Sequence, residues 1–169
     1  MRLFIAINFN KNFKDGLINI REELRNQSVF GNFTLDENLH LTLAFIGETK
    51  NIQGAKNAVD RAFQNFKSFK ITTEKIGKFS DLWWVGIKEN ISLITAAENI
   101  QKELIASGFN IEKRKFKPHI TIARQVVSKE KIFITPPHLT MNVSRISLMQ
   151  SSRVSGKLCY TEIYGKDLL

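Results

Sequence analysis

A single cysteine, Cys159, occurs in 169 residues. An intramolecular disulfide is therefore excluded, and a packed core must hold the fold, as suits a reducing compartment. The neighbouring residues KLCYTEI have strand character, which leads to the expectation of a buried, inert thiol. Proline is nearly as scarce, with three in the chain, and no low-complexity segment marks a linker. One domain over residues 1–169 is expected. No apolar run approaches the roughly 20 residues that a membrane-spanning helix needs. The opening MRLFIAINF is too short and too alternating for a secretion signal. These absences lead to the expectation of a cytoplasmic protein with no membrane association. Cysteine, histidine and acidic residues at metal-ligand spacing are missing too, so neither a metal nor a cofactor is expected.

Acidic residues are in the minority, 16 against 25 Lys and Arg, which leaves a formal charge of +9. Such an excess suits a polyanionic partner, nucleic acid foremost. The segment KRKFK, residues 113–117, concentrates part of that charge.

What is present is a mixed pattern of strands and amphipathic helices. Residues 2–9 read as a central strand. Leu17, Ile20, Leu24 and Val29 recur at near-helical spacing over about 13–28, before Gly31 and a short strand FTLD. A strand over 40–46, a helix over 51–66, and strands near 69–78 and 82–88 follow, the last two joined by a turn at Ser80-Asp81. A third helix spans about 91–107 and stops before Gly108. Then come a strand over 119–124, a break at Pro136-Pro137, a long strand near 139–150 and a last one near 156–164. The class is α+β, with mostly antiparallel connections. Trp83-Trp84 fall on a strand, where at least one ring should face the core.

All three histidines are followed by threonine two places on. HLTLAF begins at His40, HITIAR at His119, and HLTM at His138. Residues two apart on a strand share a face. His40 and Thr42 would point one way and Leu41, Leu43 and Phe45 the other; His119 and Thr121 would likewise oppose Ile120 and Ile122. Each strand would bury its apolar row and present an imidazole and a hydroxyl. Two such strands side by side would make a cleft suited to phosphodiester chemistry. A neutral imidazole can take a proton from attacking water while a protonated one gives a proton to the departing oxygen. Threonine hydroxyls can hold the phosphate oxygens, and no metal is required. His138 follows two prolines at a strand entrance and lacks the small and apolar run of the other copies, so the pair expected to act is His40 and His119. The two motif strands occupy comparable places in the two halves of the chain, which hints at duplication.

These residues resemble the RNA 2′,3′-cyclic phosphodiesterases, historically called 2′-5′ RNA ligases, of the two-histidine phosphoesterase superfamily. MRLFIAI is similar to that family's opening strand, ENLHLTLAFIGE and FKPHITIAR to its two signatures, and ISLMQSSRVSGKLCYTEI to its closing hairpin. The resemblance implies two pseudo-symmetric lobes of antiparallel sheet, helices packed on the outside and a central active-site groove. It implies hydrolysis of RNA 2′,3′-cyclic phosphate ends to 2′-phosphates, with weak reverse 2′-5′ ligation. His40 would be the proton donor to the leaving 3′ oxygen and His119 the acceptor that activates water. Thr42 and Thr121 would bind the phosphate. The family often has an aromatic-Val-Pro stretch before its first signature, where this chain reads FTLDEN.

Arg124, Lys117, Lys115 and Phe116 are the candidate RNA contacts. Arg124 follows Thr121 by three and would reach RNA only from the strand end, while Phe116 or Phe45 could stack on a base. Lys113 and Arg114 would add diffuse attraction. The partner expected is RNA with a 2′,3′-cyclic phosphate end, acted on by a monomer with no obligate protein partner. Two other readings are a basic RNA-binding module without turnover and a phosphodiesterase for a small cyclic nucleotide.

Overall fold

The computed structural model describes residues 1–169. Nine strands form two sheets in which every pairing is antiparallel. One sheet holds β1 (Arg2–Asn8), β3 (His40–Glu48), β8 (Arg145–Val154) and β9 (Lys157–Asp167), in the order β3-β1-β8-β9. The other holds β2 (Phe30–Phe33), β4 (Phe69–Phe79), β5 (Leu82–Ile87), β6 (His119–Val127) and β7 (Thr140–Val143), in the order β2-β6-β5-β4-β7. Each sheet therefore contains one motif strand, as the duplication hint requires.

Three helices cover the sheets: α1 (Lys11–Asn26), α2 (Ile52–Ala62) and α3 (Ile91–Ala106). Each begins at an asparagine whose side-chain oxygen accepts a backbone N–H three residues on: Asn10 from Phe13, Asn51 from Gly54 and Asn90 from Leu93. Such a cap satisfies a donor that the first turn would otherwise leave unpaired, worth about 1 kcal/mol. Helix α1 follows β1 of the first sheet but packs on β2 and β6 of the second. Its apolar stripe of Phe13, Leu17, Ile20 and Leu24 is buried there. Helix α2 lies against β8, β9 and α3.

Alternation along the strands delivers one row to this interior. Leu3, Ile5 and Ile7 of β1, Leu41 and Leu43 of β3, and Ile120 and Ile122 of β6 all belong to one buried cluster that also takes in the helices. Burying a side chain of this kind contributes roughly 1.5–3 kcal/mol, so the shared core fixes the two sheets relative to each other. The opposite rows are left for the groove.

Several boundaries differ from the expectation. The long strand over 139–150 is two strands in different sheets, because the chain leaves β7 at Ser144 and crosses to start β8. FTLD is not a strand. The strand lies earlier, at Phe30–Phe33, includes Gly31, and gives way to a 3-10 turn at Asp36–Asn38. Helix α1 ends at Asn26, and Val29 is exposed and already hydrogen-bonded to β6 through the Val127 carbonyl. The second helix is shorter than 51–66 because Asn65 takes a positive φ of 58°, although Phe63 and Phe66 still pack on the core. Cys159 is half-buried on the outermost strand of its sheet rather than sealed in the interior. Of the tryptophan pair, Trp83 packs on the core while Trp84 turns to the other face.

Candidate active site

The strands β3 and β6 approach each other where the two sheets meet. Each presents its histidine and threonine on the face opposite the core. His40, Thr42, His119 and Thr121 are all half-buried, while Leu41, Leu43, Ile120 and Ile122 between them are buried.

Both imidazoles are anchored by the same local device. The Nδ1 of His40 lies 2.7 Å from the Asn38 carbonyl oxygen, and the Nδ1 of His119 lies 2.8 Å from that of Lys117. A carbonyl only accepts, so Nδ1 carries the hydrogen in both rings, and Nε2 is the nitrogen left to exchange a proton with a substrate. In each motif the anchor sits two residues before the histidine.

The rings differ in what meets Nε2. The Thr42 hydroxyl lies 2.9 Å from the Nε2 of His40, an arrangement in which the hydroxyl donates to the neutral ring. Phe4 and Tyr160 flank that ring, each with its centroid 5.0 Å away. Burial among them pushes the His40 pKa below 6.5, partly offset by the Asn38 carbonyl, and the charge of His119 nearby pushes it further the same way. That last effect places the two imidazoles within electrostatic reach of each other. His119 is packed against one ring, Phe79, edge-on at 5.7 Å.

Each motif strand also carries a β-bulge just past its threonine. On β3, Thr42 pairs with Ala6 and Ala44 with the adjacent Ile5, so Leu43 is the extra residue. On β6, Thr121 pairs with Trp84 and Ala123 with the adjacent Trp83, so Ile122 is the extra residue. A bulge offsets the alternation by one. Both members of each following pair, Leu43 with Ala44 and Ile122 with Ala123, are consequently buried, and the next residue returns to the face of the histidine. That residue is Phe45 on one strand and Arg124 on the other. The expectation that Phe45 and Arg124 point away from the histidines, built on regular strands, is corrected by the bulges. Phe45 is 70% exposed, with its ring 6.3 Å from that of Phe4.

Arg124 is exposed, and its charge, with those of Arg2 and Arg153, acts on the Tyr160 hydroxyl. Burial raises that group's pKa and the three arginines oppose the rise. Since Tyr160 stands against His40, the groove collects positive charge from both sheets.

The loop before β3 is held from two sides. The buried Arg21 of α1 donates to the Thr34 carbonyl at 2.7 Å and to Asp36 at 2.6 Å. The buried Asn38 amide donates to the Leu158 carbonyl on β9 at 2.9 Å. FTLDEN thus fixes the carbonyl that orients His40.

The remaining candidates separate. Lys115 and Lys117 are exposed on the segment leading into β6, and Phe116 is half-buried against the core beside His119. Arg114 pairs with Glu112 at 2.6 Å, which neutralises part of the basic cluster. His138 is exposed at the entrance to β7, three strands from β6 in the sheet order, and is not brought to the histidine pair. The sequence reading missed the anchoring carbonyls of Asn38 and Lys117, although their shared spacing was visible in NLH and KPH. Phe4 and Phe79 escaped because nothing local separates a groove phenylalanine from the core ones.

Two antiparallel sheets, each delivering a His-x-Thr strand to a common groove, define the two-histidine phosphoesterase fold. Comparison with known proteins narrows this further: residues 14–154 match the model of the 2′-5′ RNA ligase superfamily, and the chain belongs to that family. An RNA 2′,3′-cyclic phosphodiesterase of Thermotoga maritima is 34% identical over 131 residues, covering 73% of this chain and 70% of that protein. One from Escherichia coli is 28% identical over 167 residues, covering 96% and 93%. The crystal structure of E. coli LigT complexed with 3′-AMP superposes with a TM-score of 0.82 at 28% identity, covering 99% of this chain and 96% of that one.

Proposed function

We propose that this protein hydrolyses 2′,3′-cyclic phosphate ends of RNA to 2′-phosphomonoesters by metal-independent acid–base catalysis between His40 and His119. The observation that carries the reading is the twin geometry: two imidazoles on contacting strands of different sheets, each with Nδ1 tied to a backbone carbonyl, so that Nε2 is the nitrogen left for proton exchange. The relatives' shared activity supports it. The catalytic unit is the whole of residues 1–169, since one core joins both sheets.

His119 takes the proton of the attacking water through Nε2, and the new P–O bond forms as the P–O3′ bond breaks. His40 gives its Nε2 proton to the departing 3′ oxygen. In the free groove, burial and the charge of His119 favour neutral His40. An anionic cyclic phosphate between the rings reverses the local charge and favours the protonated ring that the donor role needs. Thr42 then turns its hydroxyl from His40 to a phosphate oxygen, Thr121 does the same from β6, and Arg124 supplies charge at the rim. Lys115, Lys117 and the rest of the basic segment draw the RNA backbone in.

The test is an assay of a short RNA with a 2′,3′-cyclic phosphate end in EDTA, with the product's phosphate located by phosphomonoesterase treatment and mass spectrometry. Hydrolysis to the 2′-phosphate is expected. Tight RNA binding without turnover would contradict the reading, and a much faster rate on a cyclic mononucleotide would reassign the substrate.

A further inference from the structure

Of the eight arginines in the chain, five are ion-paired: Arg21, Arg25, Arg61, Arg114 and Arg145. The other three, Arg2, Arg124 and Arg153, are exposed and have no carboxylate partner. They are the same three whose charges act on the Tyr160 hydroxyl. Unpaired guanidinium groups from β1, β6 and β8 are thus within electrostatic reach of one point in the groove.

The strand register explains the grouping. Arg2 precedes Phe4 by two on β1 and shares its face. Across the sheet, Arg2 pairs with Ser151 and Ser151 with Tyr160, which makes one row over β1, β8 and β9. Arg153 lies two residues past Ser151 on β8 and joins the same face. The carboxylate that the register sets opposite Arg2, Glu48 of β3, pairs instead with the N-terminal ammonium at 3.5 Å. Arg124 already serves the reacting phosphate, but nothing in the acid–base step uses Arg2 or Arg153.

We propose that Arg2 and Arg153 form a second phosphate subsite, which holds the phosphate on the 5′ oxygen of the nucleoside bearing the cyclic end. The inference rests on the catalytic reading above and adds a substrate preference to it. Along β1 the groove passes from Asn8, opposite His40, to Phe4, opposite Phe45, and then to Arg2. A nucleoside stacked on Phe45 with its 3′ oxygen at His40 turns its 5′ oxygen toward Arg2 and Arg153. A guanidinium presents paired N–H donors that match phosphate oxygens. The subsite therefore favours an RNA end or a 5′-phosphorylated nucleotide over a cyclic mononucleoside phosphate with a bare 5′-hydroxyl.

The test compares three substrates with one reacting end: adenosine 2′,3′-cyclic phosphate, the same compound with a 5′-phosphate, and the adenylyl-adenosine dinucleotide with that cyclic end. Ratios of kcat/KM measured on one enzyme preparation are insensitive to how much of it is folded. The 5′-phosphate and the dinucleotide should each raise kcat/KM roughly 10- to 150-fold over the 5′-hydroxyl compound, the effect of a hydrogen bond to a charged group. Arg2→Ala and Arg153→Ala should each lower those ratios about 3- to 10-fold, while the 5′-hydroxyl compound stays within about twofold of wild type. Arg153→Lys should recover part of the loss, since it keeps the charge but not the fork. Lys102→Ala, which removes an equal charge from an exposed position on α3, should change neither ratio. Wild-type ratios near one overturn the subsite, as do ratios that neither arginine variant lowers or that Lys102→Ala lowers equally. A gain for the dinucleotide without one for the 5′-phosphate overturns it too, because the extra nucleoside would then be the group recognised. Each of these outcomes leaves the catalytic reading standing. Absence of hydrolysis of all three compounds and of a longer RNA defeats that reading, and the subsite falls with it.

Discussion

The two motif strands are nearly the same sentence written twice, HLTLAF on β3 and HITIAR on β6, and their differences divide the labour. Both have a carbonyl two residues upstream on Nδ1, both bulge after the threonine, and both hide an alanine beyond it. What separates them is the surroundings and the final letter. His40 is walled by Phe4 and Tyr160 and hydrogen-bonded to its own threonine, while His119 stands against Phe79 alone among aromatic rings. The bulge on β3 delivers a phenylalanine to the groove and that on β6 an arginine. The residue past one bulge is thus an aromatic ring suited to a base, and that past the other a cation suited to phosphate. The repeated motif supplies the acid–base pair proposed above, and the differing edge residues make its two sides unlike.

Removing either imidazole should do most to break the pair. His40→Ala and His119→Ala are each expected to lower turnover of the cyclic-phosphate RNA by roughly 10²–10⁴. The double variant should be little worse than either single one, because the two groups act in one step. Additive losses would mean that they act separately.

The edge residues come next, and they should fail in different ways. Phe45→Ala should weaken substrate binding about 5- to 150-fold through loss of stacking, with little dependence on salt. Arg124→Ala should weaken it about 10-fold at low salt, with the deficit shrinking as salt rises. KM measured at two ionic strengths distinguishes them, and matching salt profiles would erase the distinction between ring and cation.

Stability should carry a smaller signature of the same asymmetry. The folded pKa of His40 lies below 6.5, so the unfolded chain binds that proton more readily. The stability that neutral His40 contributes is fully present above about pH 6.5 and is lost as pH falls through the depressed folded value. The urea midpoint of the wild type should drop more between pH 7.5 and 5 than that of His40→Phe. Parallel curves would contradict the burial account. Smallest of all, His138→Ala should leave kcat/KM within about twofold, since that residue is exposed and remote from β6 in the sheet.

Much of this was legible in the chain because the periodicities are clean. The three helices and the faces of His40, Thr42, His119 and Thr121 follow from spacing alone. The bulges did not show, because an extra strand residue leaves no mark in composition. Leu43-Ala44 and Ile122-Ala123 look like ordinary alternation until the partner strand's register is known. That single-residue offset decides whether Phe45 and Arg124 face the groove. The break at Ser144 was hidden for a related reason: Met141, Val143, Ile146 and Leu148 are all buried in the common core, so the apolar pattern runs on while the chain changes sheets.

The central claim is that both imidazoles engage one phosphoryl group, and a crystal structure with bound 2′-AMP tests it most directly. The account predicts the 2′-phosphate held between the Nε2 atoms of His40 and His119, each within hydrogen-bonding distance, with the Thr42 hydroxyl turned from its histidine to a phosphate oxygen. A phosphate bound to one histidine alone, or held by the basic segment at 113–117 with the groove unfilled, would contradict it.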